Sequence, residues 1–218
     1  MRKGILAYGL LGATALAACG PAGDETRKTA AAIVGGVEDA ADPEVFMLDF
    51  RSAVGTINMR SSTLVSKRVL LTAGHCLDPK VTPSFLPIRA TNKTDAKSAP
   101  DSDYIDVVDM LFHPEYEALK SAEGNDLALA LLERAPEGVT PKPMNTAPLD
   151  DLPGQPVRVL GYGYTADDDY TSFGTKMEVT LPVVKVDPLQ FTIDDDQDSK
   201  GICNGDSGGP SFHTFGDG

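Results

Sequence analysis

From Ile33 onward the apolar residues fall in short runs separated by turn-rich stretches. The runs Val45–Phe50, Ser62–Ser66, Val69–Thr72, Ile105–Val108, Leu127–Leu132, Val157–Leu160 and Met177–Val186 are predicted strands. The last alternates, placing Met177, Val179, Leu181 and Val183 on one face. No stretch sustains a helical period. Many short strands without helices between them predict an all-β sandwich or barrel instead of a βαβ sheet. Residues 136–156 hold six of the chain's 16 prolines, too many for a regular element, and are read as the connector between two β halves.

The first 32 residues follow a different pattern. Arg2 and Lys3 precede an apolar stretch from Gly4 to about Ala18, the layout of an export signal. The stretch is shorter than the roughly 20 apolar residues of a membrane-spanning helix. It ends in Leu16-Ala17-Ala18-Cys19-Gly20, which resembles the lipobox of bacterial lipoproteins. That resemblance implies cleavage of residues 1–18, acylation of Cys19 and a lipid anchor at the cell envelope. The competing reading is ordinary secretion, since Ala15-Leu16-Ala17 also satisfies a small-x-small cleavage pattern. Residues 19–32 are small and polar, a linker or propeptide.

Length and charge narrow the picture further. The 218 residues suffice for a real core, and 32 Asp and Glu against 19 Lys and Arg give a net charge of −13. An acidic chain without a basic stripe argues against a nucleic-acid partner.

Candidate chemistry centres on Gly205-Asp206-Ser207-Gly208-Gly209-Pro210. A serine between backbone-permissive residues can present its hydroxyl on a tight turn, with main-chain N–H groups free to close around an anion. A serine nucleophile also needs a base and a group orienting that base. Of the three histidines, His75 follows an apolar strand in Leu71-Thr72-Ala73-Gly74-His75-Cys76. His113 lies in a turn-like Phe112-His113-Pro114-Glu115-Tyr116, and His213 in the last six residues. Asp126 opens the apolar run of Asn125-Asp126-Leu127-Ala128-Leu129, where a partly buried carboxylate needs a partner. Gly205-Asp206-Ser207-Gly208-Gly209 also matches Gly-x-Ser-x-Gly of lipases and esterases. The context fails, because no helix can follow before Pro210 and the acid and base precede the serine.

With Ile33-Val34-Gly35-Gly36, Ala73-Gly74-His75-Cys76, Asn125-Asp126-Leu127-Ala128-Leu129 and Gly205–Pro210 in this order, the chain resembles the chymotrypsin/trypsin family of serine peptidases. Phe112–Tyr116 and Gly161-Tyr162-Gly163 also look like landmarks of that family. The resemblance covers residues 33–218 and implies two Greek-key antiparallel β-barrels, the first over about 33–135 and the second over about 153–218. It implies a catalytic set of His75, Asp126 and Ser207, with the N–H groups of Gly205 and Ser207 as oxyanion hole. Asp206 is expected to pair with the α-amine freed by cleavage before Ile33, so the enzyme is made as a zymogen and needs an activating protease. Gly201, Ile202 and Asn204 correspond to the primary substrate pocket. Substrates are proteins or peptides, and neither a cofactor nor a metal is implied.

The sequence also departs from the family pattern. Ala32, not Lys or Arg, precedes Ile33, which points to an activator preferring small residues, the other reading being cleavage after Arg27 or Lys28 followed by trimming. The cysteine that the family pairs with the one after the histidine is replaced by Arg60, so Cys76 is expected to be unpaired. A Cys76–Cys203 bridge would depart from the family layout. Gly201 offers no counter-charge where trypsin-like enzymes carry aspartate, so an apolar or small residue is expected ahead of the cleaved bond. The acidic run Asp194-Asp195-Asp196-Gln197-Asp198 is read as a solvated loop, with calcium binding as the other reading. Eleven residues after Ser207 are too few for the family's wall strand and terminal helix, so the second barrel is expected to be incomplete and this chain by itself inactive. The competing functional reading is an inactive homologue serving as an extracellular binding module.

Overall fold

The computed structural model describes residues 33, 35–52, 55–81, 87–120, 123–165, 171–194, 200–202 and 204–215. The expected export signal, Cys19, the linker, Cys203 and Asp195–Asp198 lie outside them. No helix among the described residues is long and apolar enough to cross a membrane.

The first half is a closed barrel of six antiparallel strands. Its members are β2 (Val45–Ser52), β3 (Gly55–Ser66), β4 (Val69–Thr72), β5 (Ile88–Thr91), β6 (Ile105–Phe112) and β7 (Ala128–Leu132). They close in the order β2-β3-β4-β7-β6-β5. Phe46, Leu48, Phe50, Leu64, Leu70, Ile88, Ala90, Ala130 and Leu132 fill the interior. A one-turn helix, α1 (Gly74–Leu77), follows β4 directly.

The second half is an open, curled sheet in the order β1-β9-β8-β11, with β10 hairpinned onto β9. These strands are β1 (Val37–Glu38), β8 (Pro156–Gly161), β9 (Met177–Asp187), β10 (Gln190–Ile193) and β11 (Ser211–Phe212). β1 pairs with β9 although it precedes the first barrel in sequence, so the first strand among the described residues belongs to the second sheet. Val179, Leu181 and Val183 are buried on one face of β9 beside Val157, Val159, Leu152 and Ile33, as the alternation predicts. No strand interrupts residues 133–155, so the proline-rich connector expected over 136–156 is strand-free up to Pro156, where β8 begins.

The halves meet along a third apolar cluster of Val45, Met47, Met59, Tyr104, Leu160, Tyr162 and Phe212. Even positions of β2 face the barrel interior and odd ones face this joint. That is why Val45-Phe46-Met47-Leu48 reads as a continuous apolar run: both faces of the strand are buried. A buried ionic network reinforces the joint. Lys176, 1% exposed, donates from Nζ to the carbonyl of Asp42 at 2.7 Å and sits 3.7 Å from Asp39. Arg158 on β8 pairs with Asp42 at 2.5 Å and with Glu178 on β9.

Candidate active site

His75 lies on α1, just past the end of β4. Its backbone N–H donates to Asp126 Oδ1 at 2.8 Å, and its ring Nδ1 stands 2.6 Å from Asp126 Oδ2. Both carboxylate oxygens are therefore spent on one residue, which fixes the imidazole in orientation and places the proton on Nδ1. Asp126 is 1% exposed and needs such partners. Burial is the largest single influence and lowers the imidazole's proton affinity, but the hydrogen bond and charge of Asp126 together with the neighbouring Cys76 outweigh it, and the pKa of His75 rises above its ordinary value.

Local sequence explains the placement. Asn125 takes a left-handed φ of 58°, a region asparagine tolerates, and Leu127 N–H closes back onto Asn125 O at 2.8 Å. That tight turn puts Asp126 just ahead of β7 and aims it at α1. Gly74 is required because a Cβ there would come within 2.6 Å of the Tyr116 ring and 3.1 Å of Asp126 Oδ1. Tyr116 covers the pair from the His113–Tyr116 turn, stacked on Phe112 and donating to Asp78 Oδ2 at 3.1 Å. The other histidines have different tasks. His113 Nδ1 accepts Glu115 N–H at 3.2 Å, and His213 Nδ1 lies 2.9 Å from Pro156 O.

The Gly205–Pro210 turn packs against both halves. Gly205 and Gly208 have φ of 96° and 83°, conformations that strain any side chain. A Cβ on Gly208 would also lie 2.0 Å from Thr72 Oγ1. The carbonyls of this segment are held one by one. Asn204 O accepts Tyr164 N–H at 3.1 Å, Gly205 O accepts Ser61 Oγ–H at 2.9 Å, and Asp206 O accepts Gly209 N–H at 2.8 Å. Ser207 O accepts Ser61 N–H at 3.0 Å and also lies 3.5 Å from the Cys76 thiol. Ser207 itself is half-buried.

Asp206 is 6% exposed, and its Oδ1 accepts Gly163 N–H at 2.8 Å. This accounts for Gly161-Tyr162-Gly163: a Cβ at Gly161 or Gly163 would come within 2.2 or 2.6 Å of Asp206 Oδ1. Ile33 is buried in the core of the second sheet. Gly201 is half-buried, and a Cβ built there meets nothing within 4 Å. Ile202 packs against the second core, while Asn204 is exposed. Cys76 is buried and unbridged, as the Arg60 position predicts, with its sulfur 3.6 Å from His75 Nε2. Asp39, Asp42 and Glu178 bring carboxylate oxygens within 4.8 Å of one another, but Arg158 and Lys176 already supply the positive charge there. Sequence reasoning missed Ser61 and Thr72, whose partners lie on distant segments.

The architecture is the trypsin-like two-barrel fold. A solved structure described as "Structure of GrC" superposes with a TM-score of 0.66 at 24% identity, covering 81% of this chain and 82% of that one. The trypsin family model matches residues 33–216, and the chain belongs to that family of serine peptidases. Because 824 solved chains match it, the fold alone does not narrow the reaction, and the site must.

Proposed function

We propose that this chain is an exported serine endopeptidase, made as a zymogen, that cleaves peptide bonds through Ser207, His75 and Asp126. The observation carrying this reading is the double contact of Asp126 with His75, at 2.6 and 2.8 Å, with the carbonyl of Ser207 3.5 Å from the thiol of the adjacent Cys76. Ser207 Oγ attacks the scissile carbonyl carbon as its proton passes to His75 Nε2. The oxyanion forms opposite the N–H groups of Gly205 and Ser207. The imidazolium, stabilised by Asp126, then protonates the departing amine, leaving an acyl-enzyme. Water repeats the sequence in reverse and frees Ser207.

Cleavage before Ile33 would free an α-amine to neutralise the buried Asp206 carboxylate, which connects activation to the oxyanion hole. Anchoring through Cys19 would make the same cut a release step, since residues 19–32 hold no second cysteine. The open space at Gly201 and the absence of a carboxylate at that position support preference for an apolar or small residue.

Peptide anilides tested with the activated full-length protein check the reading. Ser207→Ala and His75→Ala should each abolish turnover, and leucyl, phenylalanyl or alanyl substrates should exceed lysyl and arginyl ones. Hydrolysis surviving in Ser207→Ala would overturn the assignment. Gly201→Asp should shift preference toward lysyl and arginyl substrates, read as the ratio of kcat/KM between the two classes.

A further inference from the structure

We propose that Ser61, on β3 of the first barrel, is a positioning residue that sets the nucleophile turn relative to the histidine and the oxyanion hole. The inference rests on the reading of Ser207 as nucleophile. Ser61 is fully buried. Its hydroxyl donates its single proton to Gly205 O at 2.9 Å and accepts Tyr162 N–H at 3.0 Å. Its backbone N–H donates to Ser207 O at 3.0 Å, and its carbonyl accepts Thr72 Oγ1–H at 2.8 Å. Each polar group of one residue is thus committed to β4, to the end of β8 or to the turn itself.

The consequence follows from the peptide planes. The N–H groups of Gly205 and Ser207 belong to planes whose oxygens, Asn204 O and Asp206 O, are fixed by Tyr164 and Gly209. The two alternate planes, carrying Gly205 O and Ser207 O, are both fixed by Ser61. Without the hydroxyl, the plane between the two oxyanion donors loses its restraint and can rotate. Tyr162 N–H, buried beside it, also loses its acceptor. Close packing leaves little room for a substitute. A Cβ on Gly208 would approach Ser61 O to 2.4 Å, and one on Gly209 would approach Ser61 Cβ to 3.2 Å. The arrangement also crosses the joint. The histidine and its carboxylate ride on the first barrel, and the hydroxyl of Ser61 carries that frame to the turn on the other sheet. A serine here therefore does more than fill a strand position.

The test uses the full-length protein activated before Ile33, with Ser61→Ala and Ser61→Cys. Three quantities are read: the second-order rate of phosphonylation by a fluorophosphonate, kcat and KM for a peptide anilide, and the melting temperature. Ser61→Ala should slow phosphonylation and kcat by about tenfold or more, the size of one lost buried hydrogen bond. KM should stay within about twofold, and the acidic limb of the pH profile should not move, because the His75–Asp126 pair is untouched. Ser61→Cys, with a weak donor of similar shape, should fall between parent and Ser61→Ala. If Ser61→Ala does not fold, Ser61→Cys carries the comparison against the parent alone. Variants that melt lower yet label and turn over at the parental rate below their melting temperature would reduce Ser61 to a purely structural role and overturn the proposal. A parent that takes no label at Ser207 would end the nucleophile reading and this one with it. A parent that labels normally beside an equally fast Ser61→Ala would end this one only.

Discussion

In the proposed mechanism, residues 75 and 126 decide the proton chemistry. A buried imidazole would ordinarily be the weaker base, and Asp126 together with the neighbouring Cys76 reverses that. The sign is then fixed. His75 must be neutral to accept the Ser207 proton, and its pKa is raised, so the acidic limb of kcat/KM should lie above pH ~6.5, the ordinary histidine value. Asp126→Asn should move that limb toward acid and lower kcat by about three to four orders of magnitude. An amide cannot hold the imidazolium, and it favours the wrong tautomer. A pH–rate profile of parent and variant checks both. The same pair contributes to stability below pH ~6.5, and that contribution is lost as pH rises through the folded value. At this scale each of the three residues proposed to react stands in a local context that marks it in the sequence. Ser61 stands in an unremarkable polar strand, and its partner Gly205 is 144 positions away, so no local signal could expose it.

The strands that were legible are those with an apolar run of their own. β4 and β9 lie close to their predicted bounds, and β7 starts one residue later than its run. β3 was expected only over Ser62–Ser66 but begins at Gly55, because the polar run Arg60-Ser61-Ser62-Thr63 masks the period while ladder bonds to β2 extend the strand. β5, β10 and β11 are four residues or shorter and exist through their partners more than through their own pattern. The glycines after β8 show how an element boundary can serve chemistry. Gly163→Ala places a methyl within 2.6 Å of the Asp206 carboxylate, so it should lower stability by about 1–3 kcal/mol and depress kcat. Gly201→Ala, facing open space, should leave stability within about 0.5 kcal/mol. Denaturant melts of the two variants make the contrast; equal losses would mean that crowding at Asp206 is not the cause.

Across the whole molecule, the proposed base and nucleophile sit on different halves, so the proposed function depends on the joint. Apolar packing around Tyr162 and the buried cation of Lys176 hold it together. Lys176→Met should cost about 3–5 kcal/mol by removing the buried cation that faces Asp39, measured by denaturant unfolding. A loss below about 1 kcal/mol would assign the joint to apolar contacts alone. The two-half architecture was legible from strand spacing and the proline-rich connector. The placement of β1 and Ile33 on the second sheet was not, because neither carries a local signal for its partner. The central claim, that Ser207 is the activated nucleophile, is tested most directly by mapping a fluorophosphonate adduct on the activated full-length protein by mass spectrometry. The account predicts one adduct, on Ser207, absent in Ser207→Ala and strongly reduced in His75→Ala. An adduct elsewhere, or labelling of Ser207 at the same rate without His75, would contradict it.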